Sequence, residues 1–108
     1  MTSPRRSKAK ADLDVAQAAA LFAVPVRAHM LLALRGGQRC SAGGLAAAAG
    51  VSPSTASSHL AYLLDCGLLT VERHGRKRLF RLAGPQVEEA LEALRLLAGL
   101  ARAADGRE

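Results

Sequence analysis

The hydrophobic and polar positions of this chain follow a helical pattern in five stretches and a strand-like pattern in one. The segment from Leu45 to Leu69 predicts two short helices joined by a tight turn at Gly50. Ser52 suits the N-cap of the second helix because its hydroxyl can accept a hydrogen bond from an unpaired helix N–H. Pro53 suits the first helical position, where an N–H would have no partner. The segment therefore predicts a helix-turn-helix, and the other elements can be understood as its support.

The second helix of this pair carries short, neutral, hydrogen-bonding side chains where a core helix would carry hydrophobic ones. Such donors and acceptors suit a helix that enters the major groove of DNA, where base edges are recognised by hydrogen bonds. The predicted recognition residues are Ser54, Thr55, Ser57, Ser58 and His59.

The hydrophobic period changes between Leu68 and Leu82, where it predicts a two-stranded antiparallel hairpin with Gly75 in the turn. The tip is densely basic. A basic hairpin directly after a helix-turn-helix suits a wing that reaches the DNA backbone or the minor groove. A hairpin whose charge only confers solubility is the alternative. The predicted wing residues are Arg73, His74, Arg76, Lys77 and Arg78.

Three further helices are predicted over residues 12–22, 25–35 and 85–104. The first is apolar around most of its circumference, and the last carries a hydrophobic stripe at 4-3-4-3 spacing. One small domain cannot easily cover both helices, so we predict a homodimer through the first and last helices. Packing of the last helix along its own core is the alternative. The predicted interface residues are Leu13, Ala16, Ala20, Val87, Leu91, Leu94 and Ala98.

The chain has 108 residues, of which half are hydrophobic and only three are aromatic, so the predicted core is aliphatic. Its formal net charge is +6. The positive charge is concentrated, because residues 73–81 contain five arginines and lysines and no acid, whereas residues 85–108 have a net charge of −2. Concentrated positive charge favours an anionic partner such as nucleic acid.

Length and composition predict one mainly helical domain over residues 12–104, between a basic flexible tail at 1–11 and a flexible C-terminus at 105–108. No apolar run approaches the 18 or so residues of a membrane span, and no apolar signal region follows the basic N-terminus. We therefore expect a cytoplasmic protein. Phosphate-binding loops, nucleophile elbows and paired catalytic acids do not occur in the sequence, so we predict neither an enzyme nor a cofactor.

Several motifs occur together at consistent spacing. They are Val24-Pro25-Val26-Arg27, the turn through Gly50-Val51-Ser52, the helix Ser54–Leu60, Cys66-Gly67-Leu68-Leu69 and the strand Leu79–Leu82. The segment from Leu21 to Leu82 resembles the ArsR/SmtB family of winged helix-turn-helix repressors. Ser54–Leu60 is similar to that family's Ser-Thr-Val-Ser-x-His-Leu helix, and Leu79–Leu82 to its Tyr-Tyr-Arg-Leu strand. The resemblance implies a homodimeric repressor of double-stranded DNA that binds a short inverted repeat and is released by an inducer.

The signal that would release such a repressor is not identified by the residues. Metal-sensing members of the family carry paired cysteines near the third helix or histidines on the last helix, and this sequence has neither. Soft metals need three or four clustered thiolate or imidazole ligands, so we predict no metal site. A thiol-based redox sensor using Cys40 and Cys66 is one alternative, with Cys40 beside Arg39 the more reactive candidate. A non-specific architectural DNA-binding protein is a further alternative.

Overall fold

The computed structural model describes the chain from Lys8 to Ala104, with side chains from Asp14 onward. Five helices and one antiparallel hairpin follow in the predicted order. They are α1 (Lys8–Ala23), α2 (Pro25–Ala33), α3 (Ala42–Ala49), α4 (Pro53–Asp65), β1 (Leu69–His74), β2 (Lys77–Leu82) and α5 (Pro85–Ala104), with a short 3-10 turn at Arg35–Gly37 between α2 and α3.

Helix α1 begins at Lys8, four residues before the predicted start, so residues 8–11 of the predicted tail are helical. Lysine and alanine alternate there, and both are strong helix formers. Helix α2 ends at Ala33, slightly earlier than predicted, and its last turn tightens into the 3-10 turn. Residues 1–7 and the predicted flexible C-terminus at 105–108 lie outside the described residues.

The core lies where α2, α3 and α4 meet the hairpin and the start of α5. It is aliphatic, as composition predicts, with Phe80 as its only aromatic side chain among the buried residues described. The buried hydrophobic residues are Met30, Leu31, Leu34, Leu45, Ala46, Ala56, Leu60, Leu63, Leu69, Phe80, Leu82 and Leu91. Leucines from six elements (α2, α3, α4, β1, β2 and α5) thus hold the helix-turn-helix and the hairpin against each other.

Caps at both ends of the turn fix α4 relative to α3. Gly50 ends α3 with φ of 68°, a left-handed conformation that glycine adopts without a steric penalty. The Oγ of Ser52 accepts a hydrogen bond from the backbone N–H of Thr55 at 3.2 Å. Pro53 occupies the first helical position, as predicted. The Oγ of Ser41 accepts in the same way from the N–H of Gly44 at 3.1 Å, and caps α3.

The loop before α3 attaches the hairpin to the helical body. Strands β1 and β2 pair antiparallel from Leu69 opposite Leu82 to His74 opposite Lys77, and Gly75 has φ of 65° in the turn. Cys40, in the loop before α3, exchanges two backbone hydrogen bonds with Phe80 at 3.1 and 2.8 Å. The base of the hairpin is therefore bonded to the loop that leads into the helix-turn-helix.

Helix α5 is tied to the same region through Glu88. Its Oε2 accepts hydrogen bonds from the backbone N–H groups of Gly36 and Gly37 at 2.8 and 3.2 Å.

Among the described helices no single one is long and apolar enough to cross a membrane. The segments 14–23 and 25–33 meet that criterion only as a pair, and they are bent by 79° where they join.

Candidate nucleic-acid interface

The two faces of α4 differ sharply in polarity. Ala56, Leu60 and Leu63 recur on one side and are buried. The opposite side exposes Ser54, Thr55, Ser57 and Ser58, with His59 half-buried at its edge. This arrangement leaves a continuous row of hydroxyl groups on the surface of a helix that the core holds from behind.

Two of these hydroxyls also belong to the N-cap. The Oγ of Ser52 lies 3.1 Å from the Oγ1 of Thr55 and 3.3 Å from the Oγ of Ser54. Each hydroxyl can both donate and accept, so these contacts leave Ser54 and Thr55 with further hydrogen-bonding capacity. The cap therefore orients the first turn of the helix without consuming its polar groups.

The tip of the hairpin is exposed and cationic. Arg73, Arg76, Lys77 and Arg78 are all exposed. The guanidinium carbon of Arg78 lies 5.3 Å from the centre of the Phe80 ring, within the range of a cation–π contact. This contact holds Arg78 against the aromatic ring of the core.

A small groove brings the predicted recognition helix and the predicted wing together. Its volume is about 90 Å³, and Ser57 and Ala61 of α4 line one side while Arg78 and Phe80 of β2 line the other. A hydroxyl suited to a base edge and a guanidinium suited to a phosphate thus share one surface. One predicted residue of the helix and one predicted residue of the hairpin therefore line the same groove.

A carboxylate that the sequence did not indicate sits at the base of the wing. Glu72 Oε1 lies 3.1 Å from the Nε2 of His74 and 3.4 Å from Arg39, and its Oε2 lies 3.0 Å from the Nε of Arg81. The hydrogen bond from His74 and the nearby Arg39 and Arg81 guanidiniums lower the pKa of the Glu72 carboxyl below its usual value. His74 was predicted to contact DNA, and the structure gives it Glu72 as a partner.

The clustering around Glu72 depends on strand register. Side chains two residues apart in a strand share a face, which places His74 beside Glu72. Glu72 pairs with Leu79, so Arg81 is its diagonal neighbour across the hairpin. The alternation of β1 could have indicated the first contact, but the contact with Arg39 follows from the loop that Cys40 anchors.

The two cysteines lie in different surroundings, and both are free thiols. Cys40 is half-buried and its backbone pairs with Phe80, whereas Cys66 is exposed at the C-cap of α4. Cys66 also lines an open cleft against α1. Their proposed redox role stays a prediction. In the described part of the chain, no group of three or more histidine, cysteine and acidic side chains is placed to hold a metal ion.

The predicted interface residues divide between the surface and the core. Ala16, Ala20, Leu94 and Ala98 are exposed in the single chain, Val87 is half-buried, and Leu13 lies outside the residues whose side chains are described. Leu91 is only 3% exposed and belongs to the core of its own chain. The hydrophobic stripe of α5 therefore serves the core at its N-terminal half and reaches the surface beyond it.

Helices α3 and α4 with the hairpin that follows them make this chain a winged helix-turn-helix protein, which confirms the predicted fold class. The sequence model of the arsR family of bacterial regulatory proteins matches residues 25–71. The chain belongs to the ArsR family.

Relatives and solved structures agree with this family. The chain is 41% identical to the uncharacterised HTH-type transcriptional regulator YdfF of Bacillus subtilis over 81 residues, which are 75% of this chain and 36% of YdfF. It is 30% identical to the predicted DNA-binding transcriptional regulator from E. coli, with a TM-score of 0.67 over 84% of this chain and 99% of that one.

A third similar protein is described as homodimeric. It is the winged helix-turn-helix DNA-binding domain of a possible ArsR-family regulator from Mycobacterium bovis, which is 29% identical. Its TM-score is 0.73, over 87% of this chain and 88% of that domain. The chain spans only about a third of the length of YdfF, so YdfF contains sequence with no counterpart here.

Proposed function

We propose that this chain is a homodimeric transcriptional repressor that binds a short inverted repeat in double-stranded DNA. The observation that carries the proposal is the groove shared by Ser57 of α4 and Arg78 of β2. It places a hydroxyl group suited to a base edge beside a guanidinium suited to a phosphate. A bacterial repressor acts where its DNA is, so the proposal includes a cytoplasmic location.

The dimer is supported by hydrophobic surface that one chain leaves uncovered. Leu96, Leu97 and Leu100 of α5 are 63%, 58% and 67% exposed, and Val15 of α1 is 68% exposed. Apolar surface concentrated on two helices marks an interface more often than a free surface. The similar M. bovis domain is homodimeric. A two-fold dimer would present two copies of α4 to two half-sites.

The remaining alternatives have less support. The similar regulators named above do not favour a non-specific architectural protein, and the separate surroundings of Cys40 and Cys66 do not favour an internal disulfide switch. The proposal covers DNA recognition and dimerisation, and substitutions on the described surface can test both directly.

The test of this proposal is selection of bound DNA from a pool of random duplexes by the full chain. A repressor should enrich an inverted repeat, and scrambling both halves should weaken binding by about 10³-fold or more, the usual gap between specific and non-specific sites. An architectural protein should enrich no sequence and should bind the scrambled duplex equally well, and that result would reject the proposal.

Removal of wing charge should weaken binding to all DNA sequences alike. Arg76→Ala and Lys77→Ala each remove an exposed cation at the hairpin turn. We expect each to flatten the slope of log affinity against log salt by about two for the dimer, because each chain loses one phosphate contact and each contact releases about one counterion. Fluorescence anisotropy across a salt series measures this slope. Arg102→Ala on α5 is the matched control, and slopes equal to that control would show that the hairpin does not contact DNA.

A further inference from the structure

Arg27 makes contacts with two helices from a third. It lies in the first turn of α2 and is half-buried. Its Nε donates a hydrogen bond to the carbonyl of Leu21 at 3.0 Å, and its Nη2 donates to the carbonyl of Ala20 at 2.9 Å. Its guanidinium carbon also lies 5.1 Å from the centre of the Tyr62 ring on α4. One side chain thus contacts the end of α1 and the recognition helix.

The chemistry of each contact suits arginine in particular. The last four carbonyls of a helix have no partner within it, and α1 carries no basic residue of its own in its last turn. A cation there also complements the helix dipole. The planar guanidinium can donate along its edge to two carbonyls while its face covers an aromatic ring. A lysine ammonium cannot do both at once.

Beyond this contact, α1 and α4 are separated by open space. A cleft of about 430 Å³ lies between them, lined by Gln17, Ala18, Ala20, Leu21, Tyr62 and Cys66. The buried core includes no described residue of α1, and of the described part of that helix only Phe22, near its C-terminal end, packs against the core. Arg27 therefore spans a place where the two helices are not packed together.

We propose that Arg27 is a positioning residue for DNA binding, which fixes the recognition helix α4 relative to α1 through the ring of Tyr62. The inference rests on the proposed function, in which α1 contributes to the dimer interface and α4 enters the major groove. Since the two copies of α1 would define the centre of the dimer, the Arg27–Tyr62 contact sets the distance and angle between the two recognition helices. It thereby determines which spacing of half-sites the dimer accepts.

The experiment compares operator affinity with its dependence on half-site spacing. The probes are the duplex selected by the wild-type chain and a set in which the half-sites are moved apart or together by one or two base pairs. Arg27→Lys keeps the positive charge but loses the planar group that donates to two carbonyls and covers the Tyr62 ring. Tyr62→Leu removes the ring, and Tyr62→Phe retains it. Arg35→Ala, which removes an exposed arginine from the 3-10 turn after α2, controls for a change at a surface arginine outside this contact.

We expect the wild-type chain to lose about tenfold or more in affinity per base pair of altered spacing, since each base pair also rotates the half-site around the duplex. Arg27→Lys and Tyr62→Leu should each bind the best operator about fivefold more weakly and lose no more than about threefold per base pair of altered spacing. Tyr62→Phe and Arg35→Ala should keep the sharp profile of the wild type. Spacing profiles of this kind support a positioning role.

Other outcomes overturn the inference. If Arg27→Lys and Tyr62→Leu bind more weakly but keep the wild-type spacing profile, the contact does not set the spacing and the inference is wrong. Unfolding midpoints measured in parallel show whether the weaker binding follows from lower stability. Should Arg27→Lys fail to fold, Tyr62→Leu carries the test, because Tyr62 is 48% exposed and lies outside the core. If the wild-type chain selects no operator at all, the proposed function itself fails, which is a different result from an unchanged profile.

Discussion

Glu72 shows how one acidic residue organises the charges of the hairpin. It engages His74, Arg39 and Arg81, so these three side chains are held by one carboxylate. Arg73, Arg76 and Lys77 make no ion pair among the described residues. The charge of Arg73, Arg76 and Lys77 is therefore free for a phosphate, whereas the Glu72 carboxylate partly offsets the charge of Arg39 and Arg81.

Replacement of Glu72 should change how stability depends on pH. Its pKa is lowered in the folded chain, so its contribution to stability is fully present above the pKa of an unfolded glutamate and is lost as pH falls through the lower, folded value. We expect Glu72→Gln to be less stable than the wild type at neutral pH, with the difference disappearing in acid. Urea unfolding at low salt over a pH series measures this. The difference should shrink in high salt, because the group is exposed.

Glu89→Gln provides the control for this measurement, since Glu89 is an exposed acid on α5. A constant difference between Glu72→Gln and wild type at every pH would show that the carboxylate charge contributes nothing to folding.

At the scale of single elements, α4 was predictable from local sequence because Gly50, Ser52 and Pro53 mark its start chemically. The tip of the wing was predictable for the same reason, with Gly75 in a basic hairpin. The core position of Leu91 was not predictable, because a hydrophobic stripe on a helix does not show which of its residues pack in the core of the same chain. The Glu72 cluster was not predictable either, since it needs both the strand register and the Cys40 loop.

Substitutions in the two halves of α5 should have different effects, because the N-terminal half packs in the core and the other half is expected to lie in the dimer interface. Leu100 is 67% exposed, so Leu100→Asp should leave the fold of the single chain intact while placing a charge in the dimer interface. We expect this variant to sediment as a monomer at micromolar concentration with unchanged helical content. Leu91→Ala, in the same helix, should instead lower the free energy of unfolding by about 2–5 kcal/mol, because it opens a cavity in the core. A dimer that survives Leu100→Asp would move the interface away from the end of α5.

At the scale of the whole molecule, one chain is less compact than its length requires. Its radius of gyration is 16.2 Å, whereas a globular domain of about 100 residues has roughly 13 Å. The excess fits the exposed surfaces of α1 and the far half of α5, which extend away from the core. A second copy covering these helices would make the assembly more compact than either chain.

Two chains should therefore act as one unit on DNA. We expect the full inverted repeat to be bound about a hundredfold or more tightly than a duplex carrying one half-site, because the second half-site is engaged without a further loss of freedom. Titration calorimetry should give two chains per full operator. A half-site bound as tightly as the whole would point to recognition by independent monomers.

The backbone pair between Cys40 and Phe80 also bears on the order in which the molecule assembles. It joins residues about forty positions apart, so closing that loop loses chain entropy that local helices do not lose. We infer that α3 and α4 can form through contacts that are local in sequence, and that the hairpin packs onto them later in folding. On a ribosome, the helix-turn-helix would emerge and fold before the strand that completes the DNA-binding face. A newly made chain would then bind DNA only after β2 has left the ribosome and paired with β1.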